Sequence, residues 1–204
     1  MVITEIEAVS RARYKIFIDG KFAFLLYKGE LSRYHLAKGS DIEVETFRQI
    51  RREVVLKRAK LRALHLLNDM GRTEEQLRQK LKQNHYPEDI VRETLDYVRS
   101  FGYINDGAYA RNFIETRKGK KSRREIYAKL CEKGIEKEEI DQALEECYSE
   151  EDSREAIREI LEKKGWIPGE MDDKDRQKML GFLTRKGFSY DDIRQVIQVS
   201  DWNA

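Results

Sequence analysis

The stretch that decides the fold is Ser122-Arg-Arg-Glu-Ile-Tyr-Ala-Lys-Leu-Cys-Glu-Lys-Gly-Ile-Glu-Lys-Glu-Glu-Ile-Asp-Gln-Ala-Leu144. Ser122, with Glu125 three residues later, has the spacing of a capping box at a helix N-terminus. Leu130 continues an apolar helical face, and Gly134 favours the left-handed conformation that ends many helices. The stretch therefore predicts one helix that ends near Gly134 and a second helix after it.

The same skeleton occurs three times in the chain. Each copy begins at a residue that favours the N-cap position and places a leucine at the same core position. The three pairs of cap and leucine are Thr73 and Leu81, Ser122 and Leu130, and Asp175 and Leu183. A spacing of roughly 50 residues is typical of stacked helical repeats. In the first copy His85 replaces the glycine found at Gly134 and Gly187, so we expect its middle helix to end differently.

The first residues of the chain predict strands rather than helices. Residues 3–27 are rich in β-branched and aromatic side chains, and Asp19-Gly20 favours a type I′ hairpin turn. We expect a short helix ending at Gly39, a further strand at Ile42-Glu-Val, and then a long helix from about Glu45 to Asp69.

The predicted fold class is mainly α. It is an elongated array of three tandem three-helix repeats, preceded by a small N-terminal antiparallel β segment. The predicted boundaries are residues 1–46 for the β segment and 47–104, 105–149 and 150–204 for the repeats. Within the last repeat, Trp166-Ile-Pro-Gly169 predicts a loop.

Composition excludes several classes of protein. No apolar run is long enough to span a membrane, and the N-terminus lacks the pattern of a signal peptide, so we expect a cytoplasmic protein without a membrane partner. Cys131 and Cys147 form neither a disulfide framework nor a zinc motif. The chain has three scattered histidines and no phosphate-binding glycine motif, so we expect no metal, no cofactor and no enzymatic activity.

Charge is unevenly distributed, although 40 basic and 38 acidic residues nearly cancel. A helical stripe groups Arg51, Arg58 and Arg62 within a sector of roughly 60°. A second cluster leads into the helix that begins after Ser122, and consists of Arg117, Lys118, Lys120, Lys121, Arg123 and Arg124. Cations beside a helix N-terminus favour phosphate or carboxylate ligands. A solvated surface without a ligand is the alternative interpretation for both clusters.

Several motifs carry a resemblance to a known family. They are Arg72-Thr-Glu-Glu-Gln-Leu77, Gly102-Tyr-Ile-Asn-Asp106 followed by Tyr109-Ala110, Phe113 and Arg117, Leu130 with Lys133-Gly134-Ile135, and Arg185-Lys-Gly-Phe-Ser-Tyr-Asp-Asp-Ile193. From about Leu56 to the C-terminus the chain resembles the bacterial RecX family of recombination regulators. The segment around Gly102-Tyr-Ile-Asn-Asp106 is the most specific part of the likeness.

The resemblance implies a function. RecX-like proteins would bind the RecA nucleoprotein filament and inhibit its extension, ATPase, strand-exchange and co-protease activities, which places them in DNA repair and the SOS response. The implied partners are the RecA filament and single-stranded or duplex DNA without sequence preference, and a groove-binding protein would most simply be a monomer. The nine basic residues of the two clusters are the candidate contacts with DNA or RecA.

Two other interpretations stay open at this stage. One is a helical DNA-binding regulator of helix-turn-helix type that acts without RecA. The acidic starts of the helices after Ile135 and Phe188 disfavour it, because a recognition helix enters an electronegative groove. The other is a purely structural helical scaffold.

Overall fold

The computed structural model describes residues 1–167 and 172–202 of the 204-residue chain. It divides into two compact units, Met1–Asn105 and Asp106–Ala204. Pro168 and Gly169 of the predicted loop lie outside the described residues.

An antiparallel sheet opens the first unit. Its strands are β1 (Ile3–Ala8), β2 (Arg13–Ile18) and β3 (Lys21–Tyr27), in the order β1-β2-β3. Asp19 and Gly20 have φ angles of 47° and 76°, as a type I′ turn requires, so the predicted hairpin is confirmed. Ile16 of β2 pairs with Phe24 of β3, and both side chains are fully buried in the core that the sheet shares with the following helices.

Two predictions for the segment after the sheet were wrong. The short helix is α1 (Lys28–Arg33), which begins directly after β3 and ends well before Gly39. The expected strand at Ile42-Glu-Val is absent from this described segment, where the pairing is a single bridge between Val2 and Asp41. Glu43 is extended because it is the N-cap of the next helix, and Val44 is already helical.

The predicted long helix is confirmed, with one departure from regular geometry. It consists of α2 (Val44–Gln49), a π-helical segment (Ile50–Leu56) and α3 (Lys57–Asp69), and the junction residues keep right-handed helical angles. In a π-helix the hydrogen bonds span five residues instead of four, which widens each turn.

The remaining helices complete the predicted repeats. They are α4 (Glu74–Gln83), α5 (Glu88–Ser100), α6 (Asp106–Glu115), α7 (Arg123–Glu132), α8 (Lys137–Cys147), α9 (Glu150–Lys163), α10 (Asp173–Arg185) and α11 (Tyr190–Trp202). Separate apolar cores form around α3–α5, α6–α8 and α9–α11. The fold is therefore mainly α, with three three-helix repeats and a small N-terminal sheet, as predicted.

The structure confirms two of the three predicted N-cap residues and corrects the third, and it also corrects one predicted capping box. The Thr73 hydroxyl accepts the N–H of Gln76 at 3.2 Å, as predicted for the first copy. In the third copy the cap is Asp172 rather than Asp175, because the Asp172 carboxylate accepts the N–H of Asp175 at 2.7 Å. In the second copy Ser122 accepts the N–H of Glu125 at 3.1 Å, but the Glu125 carboxylate is occupied by Lys121, so the predicted box is only half formed.

The middle helix of each repeat ends in the same way, contrary to our expectation for the first copy. His85, Gly134 and Gly187 have φ angles of 62°, 79° and 91°, so the histidine adopts the left-handed conformation of the glycines. The N–H of Tyr86 reaches back to the Leu81 carbonyl at 3.3 Å, which is the bond that closes a Schellman motif. A non-glycine residue is strained at such an angle.

Replacing His85 with glycine is expected to raise the free energy of unfolding by about 1 kcal/mol, because the substitution relieves that strain. Urea denaturation followed by circular dichroism measures the change. The matched control is Gly134→Ala, which imposes the same strain on the second copy and is expected to lower the free energy of unfolding by about 1 kcal/mol. Equal or lower stability of His85→Gly would contradict the assignment of strain to this position.

Candidate interaction surface

The arginines of the helical stripe already have partners within the first unit. Arg51 forms an ion pair with Asp89 and lies over the Phe47 ring at 5.4 Å. Burial lowers the pKa of the Arg51 guanidinium. Arg58 forms an ion pair with Glu30, donates to the Leu25 carbonyl at 3.3 Å, and lies over the Tyr27 ring at 4.5 Å. Both side chains therefore connect the long helix to other parts of the unit.

Arg62 differs from the other two members of the stripe. Its Nε atom is buried without a hydrogen-bond partner. The charges of Arg58 and Arg62 lie near Tyr86, where they oppose the burial that raises the pKa of the phenol. The three arginines do share one helix, but two of their charges are offset by carboxylates.

The second cluster occupies the turn between α6 and α7 in the second unit. Arg117 lies 3.7 Å from the centroid of the Phe113 ring and donates to the Phe113 carbonyl at 3.3 Å. Lys118 pairs with Glu115 at 2.9 Å, and Lys121 pairs with Glu125 at 2.6 Å. These three cations are engaged with neighbours in their own turn or helix.

Lys120, Arg123 and Arg124 remain available within this turn. All three are exposed, and none forms an ion pair with any residue in the described ranges 1–167 and 172–202. Arg123 and Arg124 are the first two residues of α7, where free backbone N–H groups and the helix dipole add positive potential. We call Lys120, Arg123 and Arg124 the basic turn.

Ser122 fixes the base of this turn. It is 1% exposed, and its hydroxyl accepts from Glu125 while donating to the Lys186 carbonyl at 2.6 Å. The next residue after Lys186 is Gly187, and a Cβ built there would lie only 2.9 Å from Arg124 Cβ. The start of α7 is thus seated against the end of α10, and the close approach requires a glycine.

Tyr148 holds the turn from another side. Its hydroxyl donates to the Lys121 carbonyl at 2.9 Å, and the residue is 7% exposed. Burial raises the pKa of the phenol to about 12. No pattern in the sequence marks Tyr148, because its partner is a backbone carbonyl 27 positions away.

Neither a metal site nor a membrane-spanning helix is found among the described residues. No group of three His, Cys, Asp or Glu side chains among them is placed to hold a metal ion. Within the same residues, no helix combines the length and apolar character needed to cross a membrane. Cys131 and Cys147 are unpaired thiols packed beside the core of α6–α8.

Replacing Tyr148 with phenylalanine is expected to lower the free energy of unfolding by about 1 kcal/mol at neutral pH, because the bond to the Lys121 carbonyl is lost. The folded-state pKa of about 12 lies above the ordinary value of 10.0. The neutral phenol therefore stabilises the wild type fully below about pH 10, and this contribution falls as the pH rises towards 12.

Urea titrations between neutral pH and pH 12 measure the gap in stability between the two proteins, which we expect to narrow above pH 10. The control is Tyr190→Phe at a tyrosine that is 56% exposed, where no such gap is expected. A gap that is independent of pH would contradict the role assigned to the buried hydroxyl.

Comparisons with known proteins cover nearly the whole chain. Models of the first, second and third three-helix domains of RecX match residues 59–97, 105–144 and 150–197. "Regulatory protein RecX" of Caldanaerobacter subterraneus subsp. tengcongensis is 32% identical over 202 residues, covering 98% of this chain and 100% of the relative. The protein of the same name from Clostridioides difficile is 29% identical, covering 96% of this chain and 94% of the relative.

Solved structures agree with these relatives. A crystal structure of regulatory protein RecX matches with a TM-score of 0.65 and 28% identity, covering 97% of this chain and 98% of the other. RecX from Lactobacillus salivarius matches with a TM-score of 0.61 and 25% identity, over 72% of this chain and 97% of the other. On the sequence, the three repeats and the fold together, this chain belongs to the RecX family of regulatory proteins.

Proposed function

We propose that this protein binds the RecA nucleoprotein filament and inhibits its extension, ATPase, strand-exchange and co-protease activities. Membership of the RecX family supports the choice of RecA as the partner. The observation that carries the contact site is the basic turn, which presents three unpaired cations at the N-terminus of α7. Phosphates of the filament DNA and carboxylates of a protein surface are the ligands that such a turn favours.

The rigidity of the turn supports its role as a contact. Ser122 joins it to Lys186, and Tyr148 joins it to the Lys121 carbonyl. A surface that is ordered before binding loses less conformational entropy when its partner arrives. The other six candidate residues are less available to a partner. Arg51, Arg58, Lys118 and Lys121 form ion pairs within the protein, Arg117 lies on the Phe113 ring, and Arg62 is half buried.

Inhibition in this proposal comes from occupancy of the filament rather than from catalysis. The protein acts as a cytoplasmic monomer without a cofactor, and its contacts to single-stranded or duplex DNA are independent of sequence. Lysine and arginine at a turn reach phosphates, which carry no base information. The helix-turn-helix alternative is disfavoured because Glu138 and Glu139 stand in the first turn of α8.

Changing Lys120, Arg123 and Arg124 together to alanine is expected to raise the concentration that half-inhibits RecA by roughly tenfold or more, because three cation contacts are lost. ATP hydrolysis by RecA on single-stranded DNA is the measurement. The matched control changes Arg11, Lys21 and Lys38 to alanine. These are also exposed cations without an ion pair in the described part of the chain, but they belong to the first unit.

Three results would count against the proposal. If the wild-type protein leaves RecA ATPase unchanged, regulation of the filament is excluded under those conditions. If the basic-turn variant inhibits as strongly as the wild type, the contact lies elsewhere, and Arg62 is the next residue to change. Equal losses in the basic-turn variant and the control would indicate a nonspecific effect of net charge.

A further inference from the structure

A row of three aromatic rings lies at the end of α5 in the first unit, with Tyr97 partly buried against the core of α3–α5 and the other two exposed. Tyr97 and Phe101 are one helical turn apart, with ring centroids separated by 5.0 Å, and Phe101 stacks on Tyr103 at 6.0 Å. Phe101 is 60% exposed and Tyr103 is 56% exposed. We call these three residues the aromatic row.

The end of the helix builds this row. Gly102 has a φ angle of 71°, and the N–H of Tyr103 returns to the Val98 carbonyl at 3.0 Å. The left-handed glycine reverses the chain, so that Tyr103 comes back beside Phe101 instead of continuing away from it. Exposure of large apolar rings to water is unfavourable, and burial of the rings by a ligand removes that cost. An ordered row with exposed rings therefore indicates a surface that a ligand covers.

A groove of about 950 Å³ lies between the long helix and α5, and the three rings of the row are outside its lining. Lys60 connects the two features, because it lines the groove and its Nζ lies 4.6 Å from the centroid of the Tyr97 ring. The α5 residues Asp89 and Glu93 line the groove at four-residue spacing, and Tyr97 and Phe101 continue that spacing. Lys60 therefore links the groove to the aromatic row, while the four-residue spacing carries Phe101 about 120° around the helix axis from Asp89.

Three of the four acidic residues of the groove form ion pairs, and the fourth, Glu53, accepts a hydrogen bond from a neutral amide. Asp89 pairs with Arg51, Glu93 with Lys60 at 3.8 Å and Glu45 with Arg48 at 3.8 Å, and Glu53 accepts from Gln49 at 3.4 Å. Arg52 and Lys57 also line the groove and are exposed, and they have no ion-pair partner among residues 1–167 and 172–202. The groove thus offers two cations without an ion pair among the described residues, and Lys60 links it to the aromatic row.

The π-helical segment brings these two cations to one side. Arg52 and Lys57 are five residues apart, which in an α-helix would place them on different faces. Hydrogen bonds that span five residues widen the turn, so residues at this spacing lie nearly above one another. Single π turns are frequent at functional sites.

We propose that the groove and the aromatic row form a binding track for single-stranded nucleic acid. Arg52 and Lys57 contact backbone phosphates, and the faces of Phe101 and Tyr103 stack against unpaired bases. The inference extends the proposed function by assigning a second, RecA-independent contact to the first unit. It also predicts a preference for single strands, because the bases of a duplex are not free to stack on a side chain.

This ligand fits the surface better than a peptide or a duplex does. A peptide could cover the rings with apolar or cationic side chains, but those groups would leave Arg52 and Lys57, which favour anions, without a partner. A duplex would satisfy Arg52 and Lys57 through its phosphates but would leave the rings exposed to water. Only an unpaired strand presents phosphates and accessible base faces together.

Direct binding to fluorescently labelled oligothymidylate of about 20 nucleotides, without RecA, tests the track. Changing Phe101 and Tyr103 together to leucine removes the rings but keeps apolar bulk, and is expected to raise the dissociation constant by roughly tenfold or more. Binding to a duplex of the same length is expected to stay unchanged. The control variant replaces Phe22 and Tyr190, which are 37% and 56% exposed, with leucine.

Arg52 and Lys57 are tested, independently of the rings, by the salt dependence of oligonucleotide affinity. Changing Arg52 and Lys57 to alanine is expected to flatten the slope of log affinity against log salt concentration by about 1.4, since each contact with a single-strand phosphate contributes about 0.7. The leucine variant of the aromatic row is expected to keep the wild-type slope. Thermal unfolding by circular dichroism confirms that each variant is folded.

Four outcomes would overturn the inference. They are wild-type protein that does not bind the oligonucleotide, a row variant that binds it normally, a row variant that loses duplex binding equally, and an Arg52 and Lys57 variant whose slope is unchanged. A row variant that loses RecA inhibition while it still binds the oligonucleotide would assign the rings to a protein partner instead. Since no RecA is present in the binding assay, failure here leaves the test of the basic turn unaffected.

Discussion

In each repeat a buried leucine carbonyl accepts a backbone N–H from the residue five positions later, across a left-handed residue. The three closures join Leu81 to Tyr86, Leu130 to Ile135 and Leu183 to Phe188, at 3.3, 3.4 and 3.2 Å. The leucine side chains are all 0% exposed. One backbone bond therefore ends the middle helix, reverses the chain, and delivers the next apolar residue to the same core.

This constraint explains which parts of the fold could be predicted from sequence. Leucines at equal spacing, cap residues and left-handed glycines are local signals, and they were sufficient for three repeats and for the hairpin at Asp19-Gly20. His85 misled the prediction because it adopts, at a φ angle of 62°, the left-handed conformation that a non-glycine residue does not favour. The repeat boundaries themselves remain a prediction. The wrong strand at Ile42-Glu-Val shows the same limit, since β-branched residues also occur at a helix start.

The basic clusters show what sequence cannot distinguish. A count of lysines and arginines treats Arg58 and Arg124 alike, but the structure places Arg58 against Glu30 and Tyr27 and leaves Arg124 exposed. Partners such as Glu30 are distant in the chain, so no local pattern announces them. The positions of Arg52 and Lys57 could not be predicted from the sequence either. The α-helical period assigns them to different faces, whereas the π-helical segment brings them to one side. The sequence predicts where cations cluster, but only the packed structure shows which of them have an ion-pair partner.

In the function proposed above, both surfaces would contact a nucleoprotein filament. The basic turn supplies three free cations and the groove supplies two, and a few phosphate contacts alone give weak, salt-sensitive binding. When two weak sites lie in one chain, the first contact raises the effective concentration of the second, and the combined affinity can exceed either by orders of magnitude. A filament offers repeated ligands to both sites, whereas a short free strand does not. Weak individual sites would therefore favour the assembled filament over isolated DNA, which is the discrimination that a regulator of filament growth requires.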